Sequence, residues 1–400
     1  MTSTSQPLSK PMIVLMAATT GLAVASNYYA QPLLQLIASN LRVSVHSTGM
    51  LVTTAQLGYA LGLVLLVPLG DLLERRKLIV GMLLLTATGL LISAISSHLI
   101  TLMIGTAIAG LFAVVAQILV PLGATMAAPN ERGKVVGQIM SGLLMGILLA
   151  RTAAGILSQW GGWRVIYWLA AGLLLMLAAI LWRRLPADRP TAGLRYPQLL
   201  ASIAQLLMQH AGLRLRALLG AVSFAAFSVL WTSLALLLSA APYHYNAATI
   251  GLFGLAGAAS TLAASLVGKW ADQGGDGSAT TWGLFGLLVS WVLLALGGQS
   301  LWALILGILV LDFAVGAVHV TNQNVIYREH AASRNRVTSG YMTCYFIGGA
   351  IGSLASSQAF QYAGWSGVVA VGAIICLLGL VVWLAYRHIE HIPELARHQI

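Results

Sequence analysis

Two charged residues stand inside apolar stretches long enough to cross a membrane, and they carry the strongest chemical signal in the sequence. Of the ten Asp and Glu residues, only Asp312 lies midway along such a stretch, and Arg151 lies inside another. A charge near the centre of a bilayer costs at least ~2.5–3.5 kcal/mol, so such groups usually face a cavity, pair with each other or carry protons. We therefore expect Asp312 to take up and release a proton, with Arg151 or a bound substrate tuning its pKa.

The depths of these two residues in the membrane also allow a purely structural role. Counting ~1.5 Å per residue from the ends of their stretches places Arg151 and Asp312 within about 7 Å of each other in depth. That difference is within the reach of an arginine side chain. The alternative to proton coupling is thus a static ion pair that holds two parts of the protein in register.

A histidine follows Asp312 on the same helical face. His319 comes seven residues later, and Gln323 continues the stripe. A histidine can relay protons near neutral pH. The corresponding residue about 202 positions earlier is Gln117, which does not titrate, so the pattern favours substrate binding by His319 over a proton relay. Either Asp312 or His319 remains a candidate for the coupled proton.

Other polar and aromatic side chains within the apolar stretches predict the wall of a substrate cavity. In lipid an unsatisfied amide is expensive, so these groups should face the protein interior or one another. Together they describe an amphipathic cavity with one acid and one base, unlike the multiply cationic cavity expected for a phosphorylated substrate. The predicted cavity residues are Asn27, Tyr28, Gln31, Gln35, Gln56, Tyr59, Gln117, Trp231, Gln323, Tyr341 and Tyr345.

The composition requires these residues to be held by membrane-spanning helices. Hydrophobic residues make up 58% of the 400-residue chain and charged residues only 8%, against roughly 25% charged residues in soluble domains. Twelve apolar stretches are each long enough to cross a ~30 Å hydrocarbon core as a helix. They lie near residues 12–37, 47–69, 78–96, 100–127, 136–158, 165–182, 215–240, 248–270, 279–298, 301–326, 337–361 and 365–386.

The sequence also repeats itself about 202 residues apart. Arg132-Gly133-Lys134-Val135 is answered by Arg334-Asn335-Arg336-Val337, and Gly162-Trp163 by Gly364-Trp365. Such a repeat predicts two six-helix bundles with the working site between them. We predict an all-α membrane protein with bundles over residues 1–183 and 215–400, and a cytoplasmic linker with an amphipathic helix over 184–214.

The basic residues set the orientation in the membrane. The net charge is +11, and most of the 21 Lys and Arg residues fall in alternate connections and at the termini. This bias predicts that both termini are cytoplasmic, and it explains the charge without a nucleic-acid partner.

The connection after the second stretch resembles a known signature. Its sequence Val67-Pro68-Leu69-Gly70-Asp71-Leu72-Leu73-Glu74-Arg75-Arg76-Lys77 is similar to the Gly-x-Leu-Ala-Asp-Arg-x-Gly-Arg-Arg pattern of the major facilitator superfamily. The second half carries an imperfect copy, Gly268-Lys269-Trp270-Ala271-Asp272-Gln273-Gly274-Gly275. With twelve stretches and a central basic loop, the chain resembles the drug and metabolite efflux branch of this superfamily. Arg151 stands where the antiporter motif of that branch has a proline.

The resemblance implies a secondary transporter of the inner membrane that works by alternating access. The protein would export a small amphipathic drug or metabolite as a monomeric proton antiporter, powered by the proton gradient without a cofactor or metal. A carboxylate at Asp71 or Asp272 would act in cytoplasmic gating with Arg75 and Arg76. Glycines at 58, 62, 348 and 352 would lie where the two halves slide.

Two alternatives stay open. One is proton-coupled uptake of a small polar metabolite or sugar, in which Asp312 and His319 load proton and substrate together. The other is a membrane-embedded enzyme acting on lipid-linked substrates, but the sequence has no HExxH motif, no Ser-His-Asp arrangement and no metal-ligand spacing. The pattern therefore favours a transporter over an enzyme.

Overall fold

The structure, a computed structural model, is built from helices. It describes residues 9–128, 131–187, 195–259, 263, 266–267, 275–329 and 334–390, and every regular element among them is helical. Within these ranges nine helical segments are long and apolar enough to cross a membrane, and two shorter apolar helices accompany them. The described residues divide into two compact units.

Unit 1 comprises Met1–Gln205 and Trp231–Gly257, and unit 2 comprises Leu206–Leu230 and Ala258–Ile400. The helices that begin in unit 1 are α1 (Lys10–Ala25), α2 (Leu34–Leu41), α3 (Val45–Leu65), α4 (Arg75–Ile95), α5 (Leu99–Phe112), α6 (Ala116–Met126), α7 (Arg132–Gly161), α8 (Arg164–Arg184), α9 (Tyr196–Gln209) and α11 (Ala247–Leu252). Those that begin in unit 2 are α10 (Ala211–Ser239), α12 (Asp276–Ala295), α13 (Leu301–Glu329) and α14 (Arg334–Glu390). Short 3₁₀ turns cover Gln31–Leu33, Val67–Asp71, Ala113–Val115, Phe253–Gly257 and Leu296–Gly298.

The first predicted span is not a continuous α-helix. α1 ends at Ala25, and α2 begins only at Leu34 after a turn and a 3₁₀ segment. Pro32 contributes to this interruption because it has no amide hydrogen and disfavours α-helical backbone in the residue before it. The eighth predicted span, 248–270, begins with α11, but much of it lies outside the described residues.

The sequence repeat appears as a repeated backbone feature. Gly162 follows the last residue of α7 with φ 76°, and Gly364, 202 residues later, interrupts α14 with φ 59°. Both values lie in the left-handed region, where glycine is favoured because it has no Cβ. The 57 residues of α14 are therefore two helices that meet at a bend, in agreement with the two spans predicted there.

Glycines bring pairs of helices into close contact within each unit. A Cβ atom at Gly146 of α7 would clash with the carbonyl oxygen of Gly21, and one at Gly348 would clash with that of Ala221. Gly58 of α3 faces the backbone of α5 in the same way, and Gly352 faces Ala225. The missing Cβ atoms of these glycines admit neighbours of the same unit. The expectation that the same glycines lie where the two halves slide stays a prediction.

One segment from the second half of the sequence packs within unit 1. Residues 231–257 belong to unit 1, because α11 and the turn after it pack against α7, as the hydrogen bond from Thr152 Oγ1 to the Gly251 oxygen (2.9 Å) shows. A helix, α9, occupies the linker where an amphipathic helix was expected, with Leu199 and Ile203 buried. The division at 183 and 215 remains a prediction.

The α1–α7 contact yields a stability prediction. In Gly142→Ala the new Cβ would clash with the backbone of Ala17, so we expect the free energy of unfolding to fall by about 1–3 kcal/mol, as for other overpacked sites. The measurement is the melting temperature of purified protein in detergent. Gly137→Ala is the matched control on the same helix, because no atom lies within 4 Å of its added Cβ. Equal melting temperatures for the two variants would contradict this packing.

Candidate functional site

The side chain of Arg151 is buried in unit 1, and its guanidinium group contacts Gln31, Trp231 and Tyr28. It lies midway along α7 with 2% of its surface exposed. Its Nε donates a hydrogen bond to Oε1 of Gln31 over 2.5 Å. The guanidinium carbon lies 3.9 Å from the ring centre of Trp231 and 4.9 Å from that of Tyr28. These contacts are cation–π interactions, which gain strength when the cation is removed from water.

Local backbone features bring these groups to Arg151. Tyr28 and Gln31 both lie in the interruption between α1 and α2. Irregular backbone at membrane depth is tolerated where it is buried in protein or lines a cavity. On another side, a Cβ atom at Gly251 would lie 2.6 Å from the Arg151 oxygen, and one at Gly254 would lie 2.9 Å from the Arg151 Cβ. Small residues at these positions are therefore required for the close approach of 247–257 to α7.

A very small cavity of about 10 Å³, room for about one water molecule, adjoins the guanidinium group. Gln31 presents an amide to this cavity, and its Nε2 is buried without a hydrogen-bond acceptor among the described residues. Apart from Arg151 and Gln31, the lining is apolar or aromatic. The cavity is lined by Gln31, Pro32, Arg151, Trp231, Leu234, Ala235 and Ile250.

The other predicted cavity residues of unit 1 have different surroundings. Gln56 is fully buried on α3, and neither polar atom of its amide has a hydrogen-bond partner among the described residues. Tyr59 is buried and hydrogen-bonded to Gln117. Asn27 is buried and donates to the Val24 oxygen at 3.3 Å. Gln35, in contrast, is exposed on α2.

Unit 2 holds the acidic candidate and a group of aromatic residues. Asp312 is fully buried on α13. Two turns later, His319 Nδ1 lies 3.0 Å from the hydroxyl of Tyr341, and its ring centre lies 4.7 Å from that of Tyr345. Tyr345 in turn stacks on Phe224, with ring centres 4.1 Å apart. Since Asp312 belongs to unit 2 and Arg151 to unit 1, their predicted pairing stays a prediction.

Sequence reasoning missed a second buried arginine. Arg216 of α10 lies just after the end of the predicted linker, where the charge pattern alone indicates a residue that sets orientation, but only 9% of it is exposed. It donates hydrogen bonds to Thr280 Oγ1 at 2.7 Å and to Asn322 Oδ1 at 3.3 Å. Asn322 is fully buried, whereas the predicted Gln323 is only partly buried. The available signal was the three-residue spacing from His319, which puts Asn322 on its helical face.

The predicted gating residues are partly described. Asp71 lies 3.9 Å from Arg75, and both are partly exposed, so this ion pair is weak. Arg76 pairs instead with Glu74, at 3.3 Å. Asp272 lies outside the described residues. At the start of α12, Asp276 accepts a hydrogen bond from Arg328 of α13.

The contact between Gln31 and Arg151 yields a second stability prediction. Gln31→Leu removes the acceptor of the buried Nε, and leaving such a donor unsatisfied costs about 1–3 kcal/mol. We expect a lower melting temperature in detergent. Gln35→Leu makes the same chemical change at an exposed position four residues away and should leave the melting temperature unchanged. A loss of similar size in both variants would mean that the contact with Arg151 does not stabilise the fold.

Comparison with known proteins identifies the family. The model of the Major Facilitator Superfamily matches residues 16–290 and 216–398. The chain is 57% identical over 383 residues to the Uncharacterized transporter YgaY of Escherichia coli O157:H7, covering 96% of this chain and 97% of that protein. It is 25% identical to the Inner membrane transport protein YdhP of Escherichia coli K12, covering 97% and 98%.

The fold matches that of solved transporters. A mutant form of the nucleoside transporter NupG superimposes with a TM-score of 0.77 at 14% identity, covering 93% of this chain and 99% of that chain. This similarity confirms the predicted all-helical fold. The chain is therefore a member of the major facilitator superfamily, an integral membrane protein that acts as a secondary transporter of small molecules and not as an enzyme.

Proposed function

We propose that this protein exports a small amphipathic molecule in exchange for protons by alternating access. The observation that carries the proposal is the buried Arg151 beside a cavity that combines an amide, an aromatic ring and aliphatic side chains. Such a lining suits a molecule with one polar end and an apolar body. Sites in broken helices are a recurring feature of secondary transporters, and the interruption at Gln31 fits that pattern.

The coupling step is assigned to Asp312. A fully buried carboxylate in a membrane span is costly when charged, so its proton occupancy and its access to water are linked. When Asp312 takes a proton from outside, its charge is neutralised and the protein can return to the inward-facing state. Loss of that proton to the cytoplasm then completes one cycle of substrate out and proton in. Each state is favoured only to the extent that it binds the proton or the substrate more tightly.

Orientation and gating follow from the charges at the helix ends. We place both termini in the cytoplasm of an inner-membrane monomer, with the connection from Asp71 to Lys77 on the cytoplasmic side. The ion pair between Asp71 and Arg75 is weak enough to break on each cycle. Arg76 and Lys77 both pair with Glu74, which stabilises the start of α4 rather than a contact that must open.

Uptake of a polar metabolite is the second candidate, and one observation favours it. His319 follows Asp312 by seven residues on the same helix, and its ring lies near the hydroxyl of Tyr341. A histidine and tyrosine so placed are suited to hydrogen-bonding a polar substrate close to the proton-carrying acid. The direction of proton-driven accumulation distinguishes uptake from export.

Export predicts accumulation in everted membrane vesicles that respire and so acidify their interior. We expect at least one of three probes, neutral N-phenyl-1-naphthylamine, anionic 1-naphthoate or cationic tetraphenylphosphonium, to accumulate only when the protein is present. Asp312→Asn should abolish this gradient-driven accumulation but preserve exchange of probe without a gradient, because only the proton step is lost. The measurement is the vesicle content of each probe over time.

The matched control is Glu131→Gln, which removes a carboxylate before the first residue of α7 and should keep both activities. Accumulation in right-side-out vesicles instead of everted ones would establish uptake. Unchanged gradient-driven accumulation by Asp312→Asn would remove Asp312 from the coupling step, and no accumulation of any probe would contradict the export proposal.

A further inference from the structure

We propose that Arg151 and Gln31 bind a carboxylate group of the transported molecule, so that the substrates are amphipathic monoanions. This inference rests on the proposed transport function and names the substrate class of its site. Three features carry it: the fixed plane of the guanidinium, the unsatisfied amide of Gln31 and the single charge of the lining.

The orientation of the guanidinium plane is fixed by its neighbours. Trp231 lies against it at 3.9 Å, and the Nε edge is tied to Gln31 at 2.5 Å. An arginine has five N–H donors in one plane, and four of them are on the two terminal nitrogens. A carboxylate is planar and accepts from such donors in parallel hydrogen bonds. A guanidinium oriented in advance loses less rotational freedom when it binds an anion.

Gln31 adds a donor that needs an acceptor. Its Oε1 accepts from Arg151, so its Nε2 carries the two hydrogens. This nitrogen is buried, and no acceptor for it exists among the described residues, although Gln31 lines the cavity. A ligand oxygen in the cavity would satisfy it. An ammonium group has only donors and would also be repelled by Arg151, so cationic substrates do not fit this site.

The lining also limits the charge of what binds. Arg151 is the one charged residue among those that line this described cavity, and the residues opposite it, such as Leu234 and Ile250, are apolar. One guanidinium balances one negative charge, whereas a phosphate dianion would leave charge uncompensated in apolar surroundings. At about 10 Å³, the cavity holds about one water molecule. A carboxylate head therefore binds beside Arg151 only when the lining side chains move apart, with the apolar body extending beyond it.

The test is equilibrium binding to purified protein in detergent, without a proton gradient. Three carbon skeletons, phenyl, naphthyl and decyl, are each supplied as carboxylate, primary amide and primary ammonium. We expect the carboxylate of at least one skeleton to bind at least about tenfold more tightly than its amide, because a charge-assisted bidentate pair replaces neutral hydrogen bonds. The ammonium compounds should not bind.

Three variants test which residues cause the preference for carboxylate over amide. Arg151→Gln should remove the difference between carboxylate and amide, and Gln31→Glu should abolish carboxylate binding because it places a fixed anion beside Arg151. Arg164→Gln is the control, since this cation of unit 1 bonds to Asn40 and Ser96 and does not line the cavity. The Arg164→Gln variant should prefer carboxylates to the same extent as the unaltered protein.

The outcomes separate this inference from the proposed function. Equal affinity for carboxylate and amide on all three skeletons, or a preference that survives in Arg151→Gln, would overturn the carboxylate site even if neutral or cationic probes are exported by the vesicles. Conversely, Asp312→Asn should keep the carboxylate preference while it loses gradient-driven accumulation. If Asp312→Asn lost the preference for carboxylates, binding of the carboxylate would not depend on Arg151 and Gln31 alone. That result would overturn the assignment of the carboxylate site to these two residues.

Discussion

A guanidinium group in apolar surroundings is stable only if the protein replaces the water that it loses. Around Arg151 this replacement comes from an aromatic ring against its face and an amide oxygen at its Nε. The local architecture follows from that requirement. The first span is interrupted so that Gln31 can turn toward α7, and glycines at 251 and 254 let the chain approach the arginine closely. The cavity is a consequence of the same arrangement.

Comparison of the two halves separates features that they share from residues that occur in only one of them. Gly162 and Gly364 adopt the same left-handed backbone conformation at equivalent places, and both are followed by a tryptophan whose indole nitrogen donates a hydrogen bond within its own unit. Arg151, however, corresponds to Ser353, and Asp312 corresponds to Gly110. The repeated helices are therefore built without these two charges in one of the two copies, which agrees with the roles proposed for Arg151 and Asp312.

Most membrane spans could be predicted because runs of apolar residues and the internal repeat can be seen directly in the sequence. The candidate site could not be predicted as well, because the positions of its side chains depend on the local backbone conformation. In one continuous α-helix, the spacing of Tyr28, Gln31 and Gln35 would put their side chains on one face. Residues 26–33 are not α-helical, so the rotation from one residue to the next changes there and the three side chains no longer share a face. Gln31 is consequently buried beside an arginine, while Gln35 is exposed. The proline at 32 was the available sign of the interruption.

The burial of arginines follows one physical rule across the described residues. Arg151 and Arg216 each lie near a tryptophan ring, Trp231 and Trp383 respectively. A guanidinium is planar and weakly hydrated, so an aromatic face replaces part of its hydration while its N–H groups keep hydrogen-bond partners. A lysine ammonium is compact and strongly hydrated, and it would lose more on burial at the same place. Arg76 and Arg164 also lie over tryptophan rings but are only partly buried. Burial, together with an aromatic face and hydrogen-bond partners, therefore distinguishes Arg151 and Arg216 from these two arginines.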